Sequence, residues 1–144
     1  RCRPFNQRRE VEKNLAFTSR IDPDLPVIQG DAFRLEQMLI NLIDNAIKYT
    51  EKGSITLSLS RKEDRVEIVV EDTGIGIPSE HLSRIFERFY VVDKSRSRKA
   101  GGTGLGLSIV KHIVLLHKGT IRVDSIAGVG TTFIISLPIN PATC

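Results

Sequence analysis

Cysteine is scarce in this sequence: two residues, Cys2 and Cys144, at its two ends. That fits reduced thiols in a cytosolic setting better than a disulfide framework. Long apolar runs are missing too. None approaches the roughly 20 residues that a membrane-spanning helix requires, and Arg1 to Glu10 is polar rather than signal-like, so the piece reads as soluble. The three histidines, His81, His112 and His117, have no metal-ligand spacing and no carboxylate partner legible in the sequence, which leaves them structural or exposed. There is no internal repeat and no low-complexity segment. What remains is a chain of 144 residues, 40% hydrophobic, enough for one compact domain with one core. Its net charge is +4. Much of that excess lies in Lys94, Arg96, Arg98 and Lys99, inside one glycine-flanked loop, and so points to a local anionic ligand rather than to nucleic acid.

Phe5 to Lys13 has the pattern of a short helix, and Leu15 to Ile21 alternates as a strand until Asp22-Pro23-Asp24-Leu25-Pro26 breaks it. From Ala32 to Tyr49 the residues Leu35, Leu39, Leu42 and Ala46 recur at helical spacing, with Asp31 as N-cap. Ser54 to Ser60 and Val66 to Asp72 alternate on either side of a polar turn and predict an antiparallel hairpin. A weaker helix is expected over Ser79 to Phe86 and another over Leu105 to Leu116, separated by a long loop with no apolar period. Thr120 to Ser125 and Thr131 to Leu137 form a second hairpin around Gly128 to Gly130. Helices interspersed with mostly antiparallel strands predict a two-layer α/β sandwich, with about three helices on one face of a mixed sheet.

Three segments carry candidate chemistry. Gln37, Asn41, Asn45 and Lys48 project from one face of the first long helix, which is either a solvated stripe or a working surface. Two asparagines one turn apart cost helix stability, which favours a task for their amides. An amide oxygen is a hard ligand suited to Mg²⁺ that bridges phosphates, Lys48 would reach a phosphate as a point charge, and Tyr49 offers an aromatic face to a base. Asp72-Thr73-Gly74-Ile75-Gly76-Ile77-Pro78 follows a strand directly. There Asp72 is either a turn cap or the acceptor for an exocyclic amino group such as that of adenine. Gly101-Gly102-Thr103-Gly104-Leu105-Gly106-Leu107 opens a helix and is either a hinge or a backbone cradle for polyphosphate. Its glycines fit neither a P-loop nor the dinucleotide fingerprint. Arg96 and Arg98, just upstream, would clamp phosphate oxygens if their loop folds over the site. Phe86, Phe89 and Tyr90 are either anchors at the root of that loop or plain core packing.

In series, Asn41-x-x-x-Asn45-x-x-Lys48-Tyr49, Asp72-x-Gly74-x-Gly76, Phe86-x-x-Phe89 and Gly102-x-Gly104-x-Gly106 resemble the N box, first glycine box, F box and second glycine box of sensor histidine kinases, over about residues 27 to 138. The resemblance implies the Bergerat ATP-binding fold. It also implies adenine against Asp72, Mg²⁺ held by Asn45, and a mobile lid from Val91 to Thr103 over the phosphates. With these go contacts from Asn41, Lys48, Tyr49, Gly74, Gly76, Ile77, Arg96, Arg98, Gly102, Thr103, Gly104, Leu105 and Gly106. The later Gly128-x-Gly130-Thr131 is similar to a further glycine box and would set Thr131 near the base. The lid wording Val92 to Arg98 is similar to that of phosphate-responsive sensors.

Two departures matter. Val91 stands where many members have arginine, so a phosphate contact is either missing or supplied by Arg96, which would then take a catalytic role. None of the histidines sits in a phosphoacceptor setting, so the expected activity is transfer of the γ-phosphoryl group of ATP to a histidine on a separate dimerisation domain of the same protein. Residues 1 to 14 would be a remnant of the linker to that domain, and 1 to 144 a single catalytic module. A response regulator follows indirectly, nucleic acid does not, and the isolated domain is expected to be a monomer from a homodimeric, membrane-anchored parent with this part in the cytoplasm. The rivals are an ATPase of the same fold, an anti-sigma-type serine kinase and a nucleotide-binding module without transfer. Asn41 bears on the first of these, because an amide cannot act as the base that activates water for hydrolysis.

Overall fold

The computed structural model describes residues 15–25, 30–90 and 105–139. The expected helix over Phe5 to Lys13, the linker segment and the whole of the expected lid lie outside the described residues. So do Arg96, Arg98, Gly102, Thr103 and Gly104.

Five strands form one sheet: β1 (Leu15–Ile21), β2 (Gly53–Lys62), β3 (Arg65–Asp72), β4 (Thr120–Ile126) and β5 (Gly130–Pro138), in the spatial order β1-β2-β3-β5-β4. β1 runs parallel to β2, and the other pairings are antiparallel. The period of two puts Val66, Ile68, Val70 and Asp72 of β3 on the buried face, beside Thr131, Phe133, Ile135 and Leu137 of β5. Against that face lie α1 (Ala32–Lys48) and α2 (Gly106–Leu116), which contribute Met38, Leu42, Ile43, Val110, Ile113 and Val114 to a single core. The two layers and the mixed sheet match the sequence expectation. Asp31 caps α1 as expected, its carboxylate accepting the Arg34 N–H at 3.2 Å.

The two helices run antiparallel and are tied at both ends. At one end the Asp31 N–H donates to Nε2 of His117 at 2.9 Å. Nδ1 of the same ring lies 2.8 Å from the Ile113 carbonyl, which can only accept, so the proton sits on Nδ1 and His117 is a structural connector. At the other end Asn41 of α1 meets Gly106 of α2.

The helix expected over Ser79 to Phe86 is corrected. Only Ser79–His81 is helical, and it is a 3₁₀ turn, continued by bonds from Arg84 N–H to His81, Glu87 N–H to Arg84 and Tyr90 N–H to Glu87. Each spans three residues, the tighter winding that short segments adopt. The segment lacks a capping side chain at Pro78 and is drawn onto the core by Ile85 and Phe86. Where about three helices were expected, the described residues therefore hold two α-helices and this 3₁₀ turn.

Candidate functional site

β3 ends at Asp72, opposite Thr131 at the start of β5, in the middle of the sheet and facing the helices. Asp72 is 6% exposed, and one oxygen of its carboxyl group accepts the Gly74 N–H at 2.9 Å. Burial pushes its pKa up from the ordinary aspartate value, while backbone N–H groups of Gly74 and Thr131 and the Thr50 hydroxyl pull it back. Thr50 is fully buried just beyond the end of α1. Its hydroxyl favours the Asp72 charge, yet its geometry falls short of a full hydrogen bond. A carboxylate and a hydroxyl thus converge at a buried point with acceptor capacity to spare, as a site that binds an amino group requires.

The glycine turn after Asp72 is locked to its surroundings by backbone contacts. Ile75 N–H donates to the carbonyl of Tyr49, the C-cap of α1, at 3.0 Å, and Gly128 N–H donates to Ile75 O at 2.7 Å. A Cβ on Gly74 would lie 2.2 Å from Tyr49 O, and one on Gly76, whose φ is +72°, would lie 2.1 Å from Ile126 O. These glycines are demanded by close approach within the protein. Gly106 differs, because a Cβ there would meet none of the described residues within 4 Å. It opens α2, whose N-cap residue Leu105 makes no side-chain cap bond and whose first turn has no acidic residue, so the helix start carries its partial positive charge without a carboxylate of its own.

On α1, Asn41 and Asn45 are half-buried one turn apart, whereas Gln37 is exposed. The Asn41 amide donates to Gly106 O at 3.5 Å, which links the asparagine face to the start of α2. Lys48 is paired with Asp44 at 3.3 Å, the i,i+4 neighbour on its own helix. Tyr49, half-buried, joins the site through its backbone carbonyl.

Phe86 and Phe89 separate in role. Phe86 meets Phe133 edge-on with centroids 6.2 Å apart, whereas Phe89 is 64% exposed at a φ of +65°. Tyr90 is held by His81 Nδ1 at its hydroxyl and by the Arg84 guanidinium 4.4 Å above its ring. His81 also lies 3.9 Å from the Glu80 carboxylate, a partner that the sequence left unseen.

Two residues were missed by reading the sequence. Thr50 gave no signal beyond its place after Tyr49. Ser125 did give one, because it is the third inward position of β4 after Ile121 and Val123, and a polar residue in such a place marks a buried hydrogen bond.

The profile of the family described as histidine kinase-, DNA gyrase B- and HSP90-like ATPase matches residues 30–141. The chain is 31% identical to the catalytic domain of the histidine kinase ThkA, at a TM-score of 0.82, and the match covers 96% of this chain and 89% of that one. It belongs to the histidine kinase ATPase domains. The mycobacterial sensor histidine kinase MprB is similar to this histidine kinase domain at 33% identity and a TM-score of 0.79, over 94% of this chain and 91% of that one. A further similar structure is full-length ShkA in complex with AMPPNP, at 34% identity and a TM-score of 0.81, over 94% of this chain and 28% of that one. Among curated relatives, the sensor-like histidine kinase SenX3 of Mycobacterium tuberculosis is 50% identical over 112 residues, 77% of this domain and 27% of the relative. WalK of Bacillus subtilis is 45% identical over 131 residues, 88% of this domain and 21% of the relative. The domain thus spans about a quarter of the length of these relatives. Among the described residues no helix is long and apolar enough to cross a membrane.

Proposed function

We propose that this domain binds ATP with Mg²⁺ at the site framed by Asp72 and α2, and presents the γ-phosphoryl group to a histidine on a separate domain of the same protein. One observation carries the reading: α1 reaches both halves of the site, the buried Asp72 through Thr50 just beyond its C-terminal end and the start of α2 through Asn41. Adenine would donate its amino group to Asp72, and the phosphates would meet the N–H groups at the start of α2 beside Gly106, where a side chain is missing and none of the described residues would touch a Cβ.

The donor set fits Mg²⁺. Among the described residues no cluster of three or more His, Cys, Asp or Glu could hold a metal ion by itself. That suits an ion that takes one or two protein oxygens and completes its shell with phosphates and water. The amide oxygen of Asn45 would supply the protein ligand. When bound, the ion neutralises phosphate charge and orients the transferred group.

For the rest, this chain positions and stabilises. Asn41 carries an amide engaged as a donor, so the position offers no base to activate water, which supports transfer over hydrolysis. Arg96 and Arg98 would add charge from the lid. The membrane anchor, the homodimer and the response regulator are proposed for the whole protein on its resemblance to sensor histidine kinases.

The test is to mix the 144-residue chain with a separately prepared dimerisation domain and radiolabelled ATP. Label on the histidine that depends on Mg²⁺ is the expected result. ATP binding without labelled histidine would leave a nucleotide-binding module, and brisk hydrolysis would favour the ATPase rival. Asn45→Ala should reduce transfer more than ATP binding, and equal transfer by both proteins would remove Asn45 from the metal site.

A further inference from the structure

We infer that Ser125, outside every motif considered above, is a specificity-determining residue: it turns the Thr131 hydroxyl into an acceptor beside Asp72 and so selects a 6-amino over a 6-oxo purine. This rests on the ATP reading.

Ser125 Oγ makes three contacts. The Ile77 N–H, in the glycine turn 48 residues away, donates to it at 2.7 Å. The Gly130 carbonyl lies 3.0 Å away and the Thr131 hydroxyl 2.8 Å away. A serine hydroxyl has one proton and two lone pairs. The Gly130 carbonyl can only accept, so the Ser125 proton goes to it. The Ile77 N–H fills one lone pair of Oγ, and the Thr131 contact is then a hydrogen bond only if Thr131 donates into the other. Every hydrogen-bonding capacity of Ser125 is used.

The consequence falls on Thr131, which is 6% exposed and pairs with Asp72 across β3 and β5. With its proton committed to Ser125, its oxygen has only lone pairs to offer. The buried end of the site then presents two acceptors, the Asp72 carboxylate and the Thr131 oxygen. An exocyclic amino group brings two N–H donors and satisfies such a site. A ring carbonyl at the same place brings lone pairs against lone pairs, which a buried polar site rejects strongly.

The test compares ATP with inosine triphosphate, which has a carbonyl in place of that amino group and a proton on the neighbouring ring nitrogen. Calorimetry on the whole chain should show tighter binding of ATP. Ser125→Ala frees the Thr131 hydroxyl to rotate and donate, so the ratio of the two Kd values should fall about fivefold or more, the scale of one hydrogen bond. Ser125→Thr keeps the hydroxyl and should retain the ratio. Thr131→Val removes the acceptor and should lower the ratio as Ser125→Ala does, with no further loss in the double variant. That variant keeps the inference testable if Ser125→Ala does not fold. Equal weakening of both nucleotides, with the ratio unchanged in Ser125→Ala or in Thr131→Val, would overturn the inference and leave Ser125 a structural tie. Failure of the unsubstituted chain to bind ATP at all would overturn the ATP reading itself, a separate outcome from an unchanged ratio.

Discussion

The Asn41 amide nitrogen lies 3.5 Å from the carbonyl oxygen of Gly106, 65 residues further along the chain, and so joins the two helices at the open end of the site. At that length the bond is weak, and alanine at position 41 recovers helix propensity. Asn41→Ala is therefore expected to leave thermal stability within about 1 kcal/mol of the unsubstituted chain. ATP affinity should fall by about fivefold or more, because the start of α2 loses its tie to α1. Thermal denaturation and calorimetry on the same preparation separate the two effects.

Asp72→Asn should weaken ATP binding by about ten- to a hundredfold, the scale of a hydrogen bond to a charged group. The substitution also has a signature in pH. Burial raises the folded-state pKa of Asp72 above its unfolded value, so ionising it costs stability. That cost is absent below the ordinary aspartate range, where both states are protonated. It grows as pH rises from there through the raised folded value, and is complete above it. The stability of Asp72→Asn relative to the unsubstituted chain should therefore increase with pH across that window, as measured by urea denaturation at a series of pH values. A flat difference would contradict the burial argument.

The glycines should divide by what surrounds them. Gly76→Ala forces a side chain into a φ of +72° and against the Ile126 carbonyl, and is expected to cost more than about 2 kcal/mol. Gly106→Ala meets none of the described residues in a helix and should raise the stability of the free chain by up to about 1 kcal/mol. Nucleotide affinity should nevertheless fall in Gly106→Ala, because the methyl group occupies the approach to the helix start. Unchanged affinity would move the phosphates elsewhere.

Phe86→Ala should cost about 2 kcal/mol or more, because a half-buried ring packed edge-on to Phe133 is removed from the core. Phe89→Ala should change stability by less than about 0.5 kcal/mol, since that ring is mostly in solvent. Denaturation midpoints of the two variants check the contrast directly.

The elements were legible from local pattern. Period-two alternation located the five strands, and period-3.6 spacing with an Asp31 cap located α1, to within a residue or two of where they lie. The spacing of the glycines and asparagines pointed to a nucleotide before any contact was known. These features depend on neighbours near in sequence, whose effect on the backbone is nearly the same in any fold. The 3₁₀ turn at Ser79–His81 was not legible, because its apolar spacing fits a helix and only packing of Ile85 and Phe86 on the core decides the tighter winding.

The state of the candidate site was decided by tertiary structure alone. Sequence left Asp72 as either a turn cap or a ligand acceptor. In the fold it caps the turn through Gly74 with one oxygen, while burial among Thr50 and Thr131 keeps the carboxyl group poised for a further partner. Sequence also gave no reason to connect Ile77 with Ser125, or Asn41 with Gly106. The strand order β3-β5-β4 and the antiparallel helices bring them together, because hydrogen-bond direction and burial are properties of what surrounds a group in space, and long-range pairing supplies those surroundings.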